Sequence, residues 1–157
     1  MEPNMTHYMD LLVSNQPWNL IIFMAIPVIL AEFIAVTELF ILLKRDLGGN
    51  LKKYNRIASI IAGIYFTGVF IYLFINAVVP LTMSGGWRGI ADVIAVGFYL
   101  LGIVPLGGMA LLEFGLISPK AESNRKLAIH ATFVAIFLVV AHIAMIVGML
   151  QPRLLMA

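Results

Sequence analysis

The sequence predicts an all-α integral membrane protein, a four-helix bundle, and three observations carry that prediction. Of the 157 residues, 62% are apolar and 11% charged, whereas an ordinary soluble domain carries about a quarter charged residues. The apolar residues fall into four blocks, each long enough to cross about 30 Å of hydrocarbon at about 1.5 Å per helical residue. Eight of the ten Lys and Arg residues sit in two short stretches between blocks: Lys44, Arg45, Lys52, Lys53 and Arg56 in one, Lys120, Arg125 and Lys126 in the other. A mean hydropathy of +1.01 agrees. Charge confined in this way is a topological signal, so nucleic acid is excluded as a partner and the lipid bilayer is the solvent.

The chain reads as a single transmembrane domain over residues 1–157. The segment before Asn19 lacks the basic stretch and apolar run of a cleaved signal peptide, so the first span is expected to direct insertion. That span covers about 20–43, and the loop after it is punctuated by Gly48-Gly49. The second covers about 57–81 and ends at a turn whose Trp87 suits a membrane interface. The third, about 90–117, holds Pro105 with Gly102, Gly107 and Gly108 close by, which should kink or unwind it. Those glycines also favour close helix approach, and a homo-oligomer is expected. The fourth covers about 127–150 and stops at Gln151-Pro152. Positive charge marks the cytoplasmic side, which puts both termini on the non-cytoplasmic side of a bacterial-type inner membrane. With no cysteine, disulfides and thiolate metal sites are excluded.

The stretches NQPWNLIIFMAIPVILAE, GGWRGIADVIAVGFYLLGIVPLGG and FLVVAHIAMIVGM together resemble an uncharacterised bacterial four-span family that carries a permease label. The resemblance spans nearly the whole chain. It implies the four-span topology, and it assigns no substrate and no site residues.

Ionisable groups at membrane depth cost several kcal/mol or more unless paired, neutralised or hydrated, so each is a candidate site residue. Five qualify: Glu32, Glu38, Glu113, His130 and His142. Counted from the nearest basic loop residue, Glu38, Glu113 and His130 lie about 9, 10 and 6 Å inside the membrane, on three different spans. Carboxylate and imidazole at one level suit a transition-metal ion such as zinc, iron, manganese or nickel, and Tyr54, Ser59 or Thr132 could complete the set. Glu32 and His142 lie deeper, at about 18 and 24 Å, and form a second candidate cluster. The leading expectation is therefore a metal-binding, permease-like or accessory membrane component. One alternative is an oxidoreductase subunit holding haem b or a quinone through His130 or His142. Others are proton or substrate passage, and a structural subunit with a buried polar network. No nucleophilic triad or phosphate-binding loop is present, and no catalytic residue is predicted. His7 is expected in solvent, and Arg88 is expected to pair with Asp92 at i, i+4.

Overall fold

The computed structural model describes residues 5–45 and 48–152, so Asp46, Leu47 and the C-terminal segment beyond Pro152 lie outside the described residues. Those described are helical or in turns, with no strand among them. A short helix α1 (His7–Val13) precedes α2 (Trp18–Lys44), α3 (Asn50–Ser84), a broken third span formed by α4 (Ile90–Leu101) and α5 (Ile103–Glu113), and α6 (Ser123–Gly148). Four helices are long and apolar enough to cross a membrane. Their outer faces leave Ile29, Leu43, Ile64, Ile75, Val104 and Val139 exposed, an apolar surface that calls for lipid around it. The chain is thus a multi-pass membrane protein.

At the end carrying the basic loops, α2 packs on α3 and α6, and α5 packs on α3 and α6, which closes a four-helix ring. Small residues let the helices approach closely. A Cβ on Gly63 of α3 would stand 2.4 Å from the Ala110 Cβ and 2.7 Å from the Leu106 carbonyl oxygen of α5. Gly108 lies against the Phe133 ring, and Gly102 between Phe66 and Phe137. These two glycines thus serve close helix approach within the bundle.

Three breaks in the helices follow from prolines. The third span parts at Gly102, three residues before Pro105, because Pro105 has no N–H for the Leu101 carbonyl and its ring crowds that carbonyl. In α2 the turn Ile21–Ala25 widens to π geometry just before Pro27, and in α3 Phe74–Val78 does so before Pro80. Pro27 leaves the carbonyls of Ile22 and Phe23 without helical donors. The Tyr65 hydroxyl of α3 donates to Ile22 at 2.9 Å, and the Tyr99 hydroxyl of α4 donates to Phe23 at 2.5 Å. Two tyrosines therefore cap the carbonyls that the proline frees.

At the opposite end α1 folds back across the bundle. Tyr8 and Leu12 are buried, and the Thr6 hydroxyl donates to the Gly148 carbonyl at 2.7 Å. A Cβ on Gly148 would stand 2.7 Å from the Tyr8 ring, so the helix end needs glycine to receive it. His7 does not face solvent as expected: its backbone N–H donates to Asp92 at 2.6 Å, and its Nδ1 meets the other Asp92 oxygen at 2.5 Å. Asp92 is fully buried in the first turn of α4. Arg88 also departs from expectation, because its guanidinium reaches Asp10 and the Met5 carbonyl, and only its backbone N–H meets Asp92, at 3.3 Å.

Candidate functional site

Glu38 lies near the end of α2, Glu113 is the last residue of α5, and His130 begins the third turn of α6. The helical ring brings all three to one level, as their depths predict. They form a row, not three donors around a common centre. The His130 Nδ1 bonds the Glu38 carboxylate, with both side chains buried. On the far side of the ring, Nε2 faces Glu113 Oε1 across 3.8 Å, too far for a hydrogen bond, and Nε2 has no hydrogen-bond partner although it is buried. The other Glu113 oxygen pairs with Arg56 Nε at 3.3 Å, and a second Arg56 nitrogen donates to the Glu113 carbonyl at 3.1 Å.

Arg56 completes a quartet of Glu38, His130, Glu113 and Arg56. With both ring nitrogens of His130 protonated, two carboxylates and two cations sum to zero charge, which lowers the cost of holding them in a membrane. Polarity falls from the exposed Arg56 through the half-buried Glu113 to the enclosed His130 and Glu38, so the row runs from the loop end inward. Beside it, the Asn55 amide donates to Thr37 Oγ1 at 2.7 Å and to the Ile34 carbonyl at 3.1 Å, fixing α3 against the turn that carries Glu38.

The residues expected to complete a metal shell have the following surroundings. Ser59 donates to the Asn55 carbonyl at 2.7 Å and Thr132 to the Ala128 carbonyl at 2.8 Å, each on its own helix, and Tyr54 is exposed. Among the described residues no group of three or more His, Cys, Asp and Glu is placed to hold a metal ion.

Glu32 and His142 line one cleft between α2 and α6, both on its exposed side, and no hydrogen bond joins them. His142 Nδ1 meets the Leu138 carbonyl of its own helix at 2.6 Å.

Arg56, Asn55 and the His7–Asp92 pair are what the sequence conceals. Arg56 reads as one more loop charge until the helix is seen to start at Asn50, directly after Gly48-Gly49, which places it in the second turn. The glycine pair was the available signal.

No curated protein and no solved structure matches the chain. The chain belongs to a family of unknown function, DUF6803, whose profile matches residues 3–157 and whose description carries neither a permease label nor a bacterial source.

Proposed function

We propose that the protein is a permease-like membrane component in which the Glu38–His130–Glu113–Arg56 row takes up and passes on a cation, the proton first of all. The observation that supports this reading is the buried, unpartnered Nε2 of His130, which faces the Glu113 carboxylate while Nδ1 is held by Glu38. An imidazole between two carboxylates can accept a proton on one nitrogen and release one from the other, and a small movement of Glu113 would close the gap. Charge favours the proton over a divalent metal: a bound M2+ with neutral His130 leaves the quartet at +1, whereas the doubly protonated ring leaves it neutral. Side-chain donors also favour it, since only Nε2 and one carboxylate face the gap.

A second reading keeps the transition-metal ion. Two metal–ligand bonds of about 2.0–2.2 Å can subtend an N···O distance of this size, and a Glu38–His130 hydrogen bond is the usual support of a metal-bound imidazole. The side facing the two basic loops would be cytoplasmic in either reading.

The test is proton flux into liposomes loaded with a pH-sensitive dye. The reconstituted protein is expected to dissipate an imposed pH gradient faster than protein-free liposomes, and His130→Phe to remove that excess. Flux equal to the protein-free control would reject the proton reading. Stoichiometric zinc, iron, manganese or nickel that disappears in Glu38→Gln, Glu113→Gln and His130→Ala would install the metal reading instead, and a Soret band in the same sample would point to haem b.

A further inference from the structure

The row leaves Glu32 and His142 unused, and they sit where such groups are least expected. Both are exposed on the flank of the bundle, on the membrane-spanning helices α2 and α6. Glu32 makes no hydrogen bond or ion pair among the described residues. An unpartnered carboxyl facing hydrocarbon is costly even when protonated, so something other than acyl chain belongs beside it. The cleft between the two helices has a volume of 270 Å3 and is otherwise apolar. Its walls are rich in aromatic rings: Tyr8, Phe23, Tyr99 and Phe137.

The chemistry of the occupant follows from the two polar groups. The Leu138 carbonyl can only accept, so in the neutral ring the His142 proton sits on Nδ1, and Nε2 is left as an acceptor. The ligand must therefore supply an O–H or N–H to Nε2 from one wall and a polar group to Glu32 on the other. Its body must be flat and apolar to lie among aromatic rings. The volume is close to the lower end of small-molecule pockets, about 300–1,000 Å3, which suits a substituted ring but not a whole lipid. The open side leaves a tail in the bilayer.

We infer that the cleft between α2 and α6 is a binding site for a membrane-dissolved hydroquinone headgroup, one ring hydroxyl donating to His142 Nε2 and the other meeting Glu32. A para-dihydroxy ring carries polar groups at opposite ends of a flat apolar body, which matches two polar residues on opposite walls. The site is separate from the Glu38–His130 row and does not depend on how that row functions.

The test is calorimetric titration of tetramethylhydroquinone, kept reduced under argon, into the protein in phosphatidylcholine nanodiscs. One saturable site per chain is expected. The dimethyl ether of the same ring, which keeps the shape and loses both O–H donors, should bind at least tenfold more weakly to the unaltered protein. His142→Phe should also weaken hydroquinone binding about tenfold, and Glu32→Gln less, because the amide still hydrogen-bonds. Val140→Trp, which fills the cleft from its α6 wall, should block it. Equal binding of the ether would reduce the cleft to an apolar groove and overturn the assignment. So would the absence of saturable binding to the folded wild-type protein. Loss of self-association in His142→Phe, without hydroquinone binding to wild type, would make a second copy the occupant.

Discussion

The two nitrogens of His130 have different surroundings, and the difference sets what each substitution does. Nδ1 is bonded to Glu38, so Glu38→Ala leaves a buried polar ring with no partner on either side and should destabilise the fold by about 3–5 kcal/mol, read from unfolding in mixed micelles. Glu38→Gln keeps an oxygen and an amide of nearly the same shape, so unfolding should change by about 1 kcal/mol or less while proton exchange is lost. A comparable loss of stability in both variants would remove the distinction between charge and shape. The sequence made Glu38, Glu113 and His130 legible because depth along a helix is simple counting. It could not show that Glu38 binds the ring, since that depends on the rotation of α2 against α6. Arg56 stayed hidden for another reason: positive charge near a span end has a sufficient topological explanation, which masks any local one.

Among the elements, α1 offers the sharpest test. Burial of Tyr8 under α1, with its ring 5.1 Å from that of Tyr99, pushes the phenol from its ordinary value of 10.0 up to about 12. The docked helix holds that proton more tightly than a released one would, so the contribution to docking is fully present below pH 10 and is lost as pH rises towards 12. By then the loss is about 2 kcal/mol. A spin label at Val13→Cys, the only cysteine in such a chain, should show α1 becoming mobile over that interval, and unchanged spectra through pH 12 would contradict it. For the capped proline break in α2, Tyr99→Phe should cost about 1 kcal/mol, because the Phe23 carbonyl loses its donor inside the membrane. Gly63→Ala should cost about 1–3 kcal/mol, since the added methyl meets α5 backbone that cannot swing away. Both are read from unfolding in mixed micelles. A break near Pro105 was legible from its chemistry, whereas the packing of the Phe66 and Phe137 rings on Gly102 was not, because those rings come from other spans.

For the whole molecule, the bundle places the two basic loops at one end and α1 with the end of α6 at the other. If the basic end is cytoplasmic, a reporter that works only in the cytoplasm should be active after Gly49 and inactive at Ala157, and the reverse pattern would invert the orientation. The contacts of α1 have a further consequence for the order in which the chain matures. His7 waits for Asp92, 85 residues later, and Thr6 waits for Gly148, 142 residues later. While the ribosome is still producing α6, α1 lacks its last partner, and the Phe137, Val140, His142 and Met145 wall of the cleft does not yet exist. The arrival of the final helix therefore forms the cleft and seats its roof in the same step. Susceptibility of the N-terminal segment to protease during synthesis would then act as a clock, ending when α6 has been inserted and not before.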